Sequence, residues 1–410
     1  MIRQNFNADW TVEKGDGNSR MNSFLGNTQT KTVHLPYDAM IHEARTPDTK
    51  NGAQTGFYPG GEYIFQKHFT APQAWQGKPV SLVFEGVYQT ALVYLNGWLL
   101  TRNVNGYAEF TVEAGPYLKY GADNLLKVIA DNSLEPNSRW YTGSGIYRPV
   151  RLLVGNKVYL PQDTVRITTR EADEGFALLD VTAQAQAAST VTERVTLQQT
   201  ICRKGTAVLT DRQNLLLQPG ESRTVSFRYC VDSPALWSPE NPNLYTSTMQ
   251  VLEGEEELDR EETSFGIRTL SIDAAHGVRI NGQTVKLRGA CIHHDNGILG
   301  AATLPDAEER RIRQLKEAGF NAIRSSHHPA GRALLDACDR YGVLVMDELS
   351  DVWNVRKNPY DYALYFEQDW KPTIQKMVAK DYNHPSVILY CVGNEISEAG
   401  SESGAETNRR

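Results

Sequence analysis

Residues that can act as acids, bases or hydrogen-bond donors follow four apolar runs in the last third of the chain. Carboxylates and imidazoles are side chains that general acid/base catalysis and metal binding use. Four such clusters in succession indicate an active site and not isolated surface residues. They are His293-His294-Asp295, Ser325-Ser326-His327-His328, Asp347-Glu348 and Asn394-Glu395.

Two simpler interpretations apply to parts of this set. Glu395 alone is explained as a solvated carboxylate at a helix N-terminus, where the helix dipole favours it. His293, His294 and Asp295 have side chains that zinc accepts. Adjacent residues of an extended segment point in opposite directions, however, so we expect no metal there.

The elements that must position these clusters alternate between strand and helix. Apolar runs predict strands at 285–290, 320–324, 343–346 and 387–392. Between them we predict a helix from about 306 that stops at Gly319, a second with Pro329 as its first helical residue and Gly342 as its end, and a third across 370–378. Nearly continuous apolar strands alternating with helices predict a parallel sheet or barrel covered by helices. In a β/α barrel the four clusters would converge on one rim.

The chain before residue 269 reads as β structure only. Short apolar runs separated by turn signals predict a jelly-roll β-sandwich over 1–157, in which Asn96-Gly97 forms a hairpin turn. A second set of β-rich runs predicts an immunoglobulin-like β-sandwich over 158–268. The third region, 269–410, is then the first half of a (β/α)8 TIM barrel.

Ordered motifs along the whole chain resemble glycoside hydrolase family 2. RGACIH at 288–293 matches the family's RGxxxH, NAIRSSH at 321–327 matches NAxRxSH, and NHPSV at 383–387 with GNE at 393–395 matches NHPSV…GNE. SGSGIYR-like residues at 138–148 resemble its N-terminal signature. GNE by itself is a weak motif, but the ordered set is specific.

The resemblance implies a double-displacement hydrolysis with retention, and it assigns roles by position. Glu395 would be the general acid/base, Asn394 would hydrogen-bond the sugar 2-hydroxyl, and His293 and His327 would bind sugar hydroxyls. Capping of a following helix is an alternative role for Asn394. Glu395 must carry a proton at neutral pH, which requires a pKa raised by partial burial and a nearby negative nucleophile.

Four more residues have supporting roles by the same resemblance. Arg288 and Arg324 would lie at the strand ends and orient the nucleophile or brace the rim, with a plain ion pair equally compatible with Arg288. Asp347 and Glu348 match the family's DE pair and would support the residues that contact sugar.

Two departures from the family pattern limit how far the family's site residues can be assigned to this chain. Where magnesium-dependent β-galactosidases have Glu and His after the DE pair, this chain has Val352 and Asn354, so we expect no metal and no cofactor. Where the family places an Asp in a loop from its first domain, this chain reads Asn137-Ser138-Arg139. Asn137 or Arg139 would contact sugar there, and simple loop packing is the alternative.

The nucleophile is the missing part. A β/α barrel takes about 250 residues, and about 140 follow residue 269. The family's nucleophilic glutamate lies on a later strand, so we expect the nucleophile not to be in this chain. We therefore expect this chain to be a fragment of a longer enzyme and to be inactive alone. Its half barrel would expose strand edges and an apolar interior, which favours association.

Composition narrows the class of ligand. The chain has 410 residues, 22% of them charged, and a net charge of −7 without a basic stripe, which argues against nucleic acid. No run approaches the apolar length of a membrane span, and no secretory signal opens the chain, so we expect a cytoplasmic protein. A neutral or mildly polar ligand fits better, and the family resemblance implies a small carbohydrate substrate. A homo-oligomer is left open.

Three functions remain in competition. A β-galactosidase that removes terminal β-linked galactose leads, and a β-glucuronidase shares every motif quoted above. A carbohydrate-binding protein without catalysis is the alternative of another class, since two β-sandwiches could bind sugar on their own. The acid/base context of Glu395 argues for an enzyme.

Overall fold

The computed structural model describes residues 1–15 and 30–409, in which a β-sandwich forms the first region. Its two sheets have the strand orders β1-β10-β5-β8 and β3-β2-β4-β9-β6-β7, and apolar side chains from both fill one core. The predicted turn at Asn96-Gly97 is confirmed, because both residues have positive φ and join β6 to β7. The strands are β1 (Ile2–Asn5), β2 (Trp10–Gly15), β3 (Lys31–Val33), β4 (Gly61–Thr70), β5 (Val80–Phe84), β6 (Thr90–Leu95), β7 (Trp98–Asn103), β8 (Phe110–Glu113), β9 (Asp123–Asn132) and β10 (Val150–Val154).

A second β-sandwich follows, with β13 paired to β11, β12 and β16 in one sheet and the order β15-β14-β17-β18 in the other. Buried and partly exposed residues alternate along β13, as expected for a strand with one face on a core. The strands are β11 (Val158–Tyr159), β12 (Arg166–Ala172), β13 (Phe176–Ala187), β14 (Glu193–Arg203), β15 (Thr206–Leu217), β16 (Ser222–Asp232), β17 (Tyr245–Glu253) and β18 (Glu256–Phe265).

The third region is a half barrel. After a three-stranded meander, four parallel strands lie side by side in chain order, β22-β23-β24-β25. Sequential order without a reversal is that of a barrel and not of a doubly wound sheet, so the predicted fold class is confirmed. The elements are β19 (Leu270–Asp273), β20 (Gly277–Ile280), β21 (Gln283–Thr284), β22 (Gly289–Ile292), α1 (Pro305–Glu317), β23 (Ala322–Ser325), α2 (Arg332–Tyr341), β24 (Leu344–Glu348), α3 (Phe366–Asp381), β25 (Val387–Cys391) and α4 (Glu402–Arg409).

Two sequence predictions in this region were wrong in detail. The first barrel strand is β22 and not 285–290, because residues 285–288 connect it to the meander. Helix α2 begins at Arg332, three residues after Pro329. Gly331 is its N-cap with an extended ψ of 153°, and the backbone N–H of Ala330 donates to Asp347 instead of entering a helix. Gly342 ends α2 in the left-handed conformation, as predicted.

The concave face of the half barrel is apolar. Side chains from all four strands line a groove of about 250 Å³ there. Among the described residues, the outer edges of β22 and β25 have no strand paired to them. Association through these edges stays a prediction. No helix in the described part of the chain has the length and apolar character to cross a membrane.

Candidate active site

The carboxyl ends of the four parallel strands bring the predicted residues to one rim. His293 follows β22, His327 follows β23, Glu348 ends β24, and Asn394 lies three residues after β25. The parallel pairing aligns these ends, since Ile292 pairs with Ser325 and Glu348 with Cys391.

Glu348 holds Arg324 and His327 in place at the rim. Its carboxylate is fully buried and accepts hydrogen bonds from Arg324 Nε and Nη2 at 2.9 and 2.8 Å. His327 Nδ1 lies 3.0 Å from Glu348 Oε2, the oxygen that also accepts from Arg324 Nε. The hydrogen bonds to Glu348 raise the pKa of Arg324. This bidentate pair holds Arg324 so that its Nη2 also donates to Asn394 Oδ1 at 3.1 Å.

Asp347 faces away from this rim. Its carboxylate is fully buried and accepts from the backbone N–H groups of Ala330 and Glu348 at 2.8 and 3.0 Å. Burial raises its pKa, and the negative charge of Asp381 raises it further. The contacts are structural, so within the DE pair only Glu348 touches the residues of the rim.

Asn394 has a defined side-chain orientation. Its Oδ1 accepts from Arg324, and its Nδ2 donates to Asp351 Oδ1 at 2.8 Å. Lys357 Nζ donates to the Asn394 carbonyl at 2.7 Å. An amide nitrogen has two protons, so one remains for a ligand. Among the described residues no helix begins at Asn394, since α4 starts at Glu402, and helix capping is not its role here.

The environment of Glu395 differs from the one that its predicted role requires. Its side chain is 69% exposed, and its ion-pair partner is Arg139, whose Nη1 lies 3.2 Å from Glu395 Oε2. Its φ of +43° is unusual for a residue with a side chain, and such strain is often found at functional positions. The expected burial beside a second carboxylate is not present among the residues that the structure describes.

Arg139 reaches the rim from the first sandwich, on the loop between β9 and β10. Its Nε and Nη2 donate to Asp351 at 3.1 and 2.7 Å, which makes Arg139 a bridge between Asp351 and Glu395. The loop packs closely on the half barrel: a Cβ on Gly143 would lie 2.5 Å from the Cβ of Ala301. Gly143 also has a φ of +67°, so this approach needs glycine.

Asp351 was missed by the sequence analysis. It accepts hydrogen bonds from Arg139, Asn394 and Lys357. Burial acts to raise the pKa of its carboxyl, but these three hydrogen bonds outweigh burial and lower it. Its position three residues after Glu348 carried no local signal, because the partners that define its role come from distant parts of the chain.

Trp140 was also missed, and it joins the two predicted histidines. Its ring stacks on His293 with centroids 4.8 Å apart and meets the edge of His327 at 5.6 Å. The His293 and His327 rings lie 5.9 Å apart. His293 Nδ1 donates to the Ser326 carbonyl at 2.6 Å, and burial lowers the pKa of His293. Its Nε2 is therefore the atom available to a sugar hydroxyl.

Asn137 is engaged inside the first sandwich. Its Nδ2 donates to Asn132 Oδ1 and to the Leu134 carbonyl, both at 2.7 Å, and its Oδ1 accepts from Tyr88. It lines a pocket of about 50 Å³ together with Trp140, His327 and Asp351. These bonds favour loop packing over sugar contact.

The structure places Arg288 at the wrong end of the sheet for its predicted role. It directly precedes β22, so it lies at the amino end of the strand and not on the rim. Its Nε is 3.4 Å from the Gly319 carbonyl. The reason is the shift of the first barrel strand toward the C-terminus described above.

The absence of a magnesium site stays a prediction. Of the two positions that carry the family's metal ligands, Val352 is buried and has no side-chain ligand atom, whereas Asn354 has an amide oxygen. Among the described residues, the side chains close enough to share a metal ion are Asp336, Asp339 and His384. They do not include His293, His294 and Asp295, and His384 Nδ1 already bonds Asp339 Oδ2 at 2.6 Å.

Three cations of the described rim are paired with carboxylates. Arg139 contacts Asp351 and Glu395, Arg324 contacts Glu348, and Lys357 contacts Asp351. Each of these three cations therefore already has a partner of opposite charge.

Comparison with known proteins gives one family for the whole chain. Three family models match in succession: "Glycosyl hydrolase 2 galactose-binding domain-like" over residues 10–174, "Glycosyl hydrolases family 2" over 158–268, and "Glycosyl hydrolases family 2, TIM barrel domain" over 274–407.

Curated relatives carry two activity names. The chain is 37% identical to the β-galactosidase BoGH2A of Bacteroides ovatus over 406 residues, which are 99% of this chain and 48% of that protein. It is 32% identical to a putative β-glucuronidase of Formosa agariphila, covering 96% of this chain and 37% of that protein. The chain spans about half the length of the curated relatives it matches.

Solved structures agree in fold. A glycosyl hydrolase family 2 member from Bacteroides cellulosilyticus superposes with a TM-score of 0.95 at 37% identity, covering all of this chain and 54% of that one. A β-glucuronidase of Bacteroides uniformis gives a TM-score of 0.83 at 27% identity, covering all of this chain and 49% of that one.

Proposed function

The chain belongs to glycosyl hydrolase family 2, and from this premise we propose that the intact gene product is a retaining exo-glycosidase that removes terminal β-linked galactose. The relatives' names leave β-galactosidase and β-glucuronidase as candidates. The observation that favours galactose is that the three rim cations are already paired with carboxylates.

A glucuronide carries a carboxylate that must be matched by a cation or by amide donors when it leaves water. Arg139 is bidentate on Asp351, Arg324 is bidentate on Glu348, and Lys357 also bonds Asp351. No cation of the described rim is free to receive a uronate. A neutral sugar, bound through hydroxyl groups, needs no change in these pairs.

The proposed roles follow from the free atoms of the rim. His293 Nε2 and the second Nδ2 proton of Asn394 contact sugar hydroxyls, and the Asn394 bond to the 2-hydroxyl strengthens as the oxocarbenium ion develops. Glu395 protonates the leaving oxygen and then activates water.

We further propose that residues 1–410 alone do not turn over a glycoside by retention. Retention requires a nucleophilic carboxylate about 5–5.5 Å from the acid/base. Glu348 is held by Arg324 and His327, Asp351 by Arg139, Asn394 and Lys357, and Asp347 is buried against backbone N–H groups. Each of these three carboxylates is therefore held by structural bonds.

The test compares nitrophenyl β-galactoside with nitrophenyl β-glucuronide on the intact gene product and on residues 1–410. We expect the intact protein to prefer the galactoside and the shorter chain to be inactive. If the intact protein prefers the glucuronide, the proposed substrate is wrong. If residues 1–410 turn over a glycoside and Glu395→Ala abolishes that turnover, the proposal that the nucleophile is missing is wrong. Sugar binding without any turnover by the intact protein would support the non-catalytic alternative.

The role of Glu395 as the acid is tested more directly by comparing substrates whose aglycones differ as leaving groups. In the intact protein, Glu395→Gln should slow substrates with poor leaving groups far more than activated aryl glycosides, because the latter need little protonation. Glu406→Gln, on the exposed face of α4, is the matched control. Equal losses on both substrates would assign the acid to another residue.

A further inference from the structure

The second histidine of each His-His pair faces away from the rim. His294 and His328 are 7% and 2% exposed and meet edge to face, with ring centroids 4.9 Å apart. Tyr107 of the first sandwich stacks on His328 with centroids 4.1 Å apart. The two histidines therefore lie in the junction between the half barrel and the first sandwich.

Their hydrogen bonds define which nitrogen of each ring carries the proton. His294 Nε2 lies 2.9 Å from the Thr142 carbonyl and His328 Nδ1 lies 3.2 Å from the Pro329 carbonyl. A carbonyl only accepts, so these two nitrogens donate. Burial lowers the pKa of both histidines, so the neutral forms are favoured. The remaining nitrogens, His294 Nδ1 and His328 Nε2, are then acceptors.

A small cavity lies beside these acceptors. It has a volume of about 10 Å³, and its lining includes His294, His328, Arg148 and Glu308. Each of these buried side chains has one atom without a hydrogen-bond partner among the described residues. The atoms are His294 Nδ1, His328 Nε2, Arg148 Nε and Glu308 Oε2.

We infer that this cavity binds one water molecule, which donates to His294 Nδ1 and His328 Nε2 and accepts from Arg148 Nε–H. A water has two protons and two lone pairs, which match two acceptors and one donor. The cavity volume is that of a single water site, and a buried water needs two to four polar partners. Unpartnered buried polar atoms are costly, so the site favours occupation.

Ions match the site less well than water. A cation would lie against the Arg148 guanidinium, and the four atoms are not part of the group of described residues close enough to share a metal ion. An anion would face two nitrogen lone pairs and the Glu308 carboxyl. Burial raises the pKa of Glu308, and its protonated form would donate to the remaining lone pair of the water.

The water would connect the half barrel to the first sandwich at the base of both histidine motifs. Arg148 is fixed by donating to the carbonyls of Tyr107 and Pro329 at 2.7 and 3.1 Å. His294 and His328 directly follow His293 and His327 in the chain. The bound water thus holds the backbone that carries the two rim histidines.

A crystal structure of residues 1–410 at a resolution that shows ordered water tests the proposal. We expect one density peak within about 2.7–3.2 Å of His294 Nδ1, His328 Nε2 and Arg148 Nε. An empty cavity, or a peak with the anomalous signal of a metal, overturns it. The measurement does not depend on any glycosidase activity.

Gly331→Ala provides a second measurement. The added Cβ would lie 3.3 Å from Arg148 Nε, in the space proposed for the water, and the φ of Gly331 is −76°, which alanine adopts. The methyl group should displace the water, so the density peak should disappear from the crystal structure of this variant. Because the contact with Arg148 Nε is tight and alanine is a poorer N-cap than glycine, Tm should fall whether or not the cavity holds water, and the density peak is the measurement that decides. Gly400→Ala, where nothing lies within 4 Å of the added Cβ, is the matched control and should keep the peak. An unchanged peak in Gly331→Ala overturns the proposal.

Discussion

The two β-sandwiches contact opposite ends of the half barrel. The first reaches the carboxyl ends of the strands through Arg139, Trp140 and Arg148. The second reaches the amino ends, where Trp237 packs with Leu344 of β24 and Ile388 of β25. Trp237 Nε1 donates to the Asp339 carbonyl at 2.9 Å, and Arg268 donates to the carbonyls of Pro385 and Val387.

The difference lies in the chemistry of the two junctions. At the first junction Arg139 and Glu395 remain partly exposed beside the rim, so a substitution there changes the geometry of the site. At the second junction the Trp237 ring is buried, and Trp237 and Arg268 donate to backbone carbonyls, so a substitution there changes stability. In a β/α barrel the carboxyl ends carry the active site and the amino ends carry stability.

The largest change in the free energy of unfolding is expected for a substitution at the second junction. Trp237 is fully buried, so Trp237→Ala should destabilise residues 1–410 by about 3–5 kcal/mol in urea unfolding. Trp98→Ala is the control, since Trp98 is 66% exposed. Equal effects of the two substitutions would contradict a structural role for this junction.

A smaller effect, on activity, is expected at the first junction. Asp351→Asn removes the charge that holds Arg139, Lys357 and Asn394, and in the intact gene product it should lower kcat/KM on aryl β-galactoside about 10²-fold, roughly 2.7 kcal/mol. Because Lys357 loses its carboxylate partner and Arg139 keeps only Glu395, β-glucuronide turnover should rise relative to β-galactoside turnover. The exposed Asp211→Asn is the control. An unchanged substrate ratio would argue against the explanation of specificity by paired rim cations.

The buried histidines of the first junction predict a pH dependence of stability. The pKa of His294 is lowered to about 3 by burial, with Arg148, His293 and Arg311 also lowering it. The unfolded chain therefore binds a proton that the folded chain does not, and stability falls as pH drops below the unfolded value of about 6.5. Each such histidine contributes about 1.4 kcal/mol per pH unit in that window.

His294→Phe should reduce the slope of unfolding free energy against pH by that amount between pH 6 and pH 4. Glu308 faces the same cavity with a raised pKa, so its contribution has the opposite sign and remains in both proteins. His34→Phe, at an exposed histidine, is the matched control. Parallel curves for parent and His294→Phe would contradict the neutral buried histidine.

The smallest effect is expected at the edge of the second junction. Lys316 Nζ donates to the carbonyls of Pro239 and Gly342 at 2.7 and 3.1 Å. Lys316→Met keeps the length of the side chain and loses these bonds, which should cost about 1 kcal/mol in urea unfolding. The exposed Lys371→Met is the control, and a loss no larger than in that variant would show that the two bonds contribute nothing.

The sequence by itself determined the elements and the end of the sheet on which the candidate site lies. Alternation of apolar strands with helices predicted the half barrel, and Asn96-Gly97 and Gly342 marked a turn and a helix end. Each of these signals is contained within a few consecutive residues, because backbone hydrogen bonds and side-chain periodicity are local. For the same reason the errors at 285–290 and Pro329 are shifts of a few residues within the correct elements.

Only the tertiary structure decided which side chains meet at the rim. Arg139 bonds Asp351 and Glu395 across 212 and 256 residues of the chain. The division of each His-His pair between rim and junction likewise depends on where Tyr107, Trp140 and Thr142 of the first sandwich dock. The environment of a charged or titratable group is set by everything packed around it, and a linear pattern does not contain the docking of one domain on another.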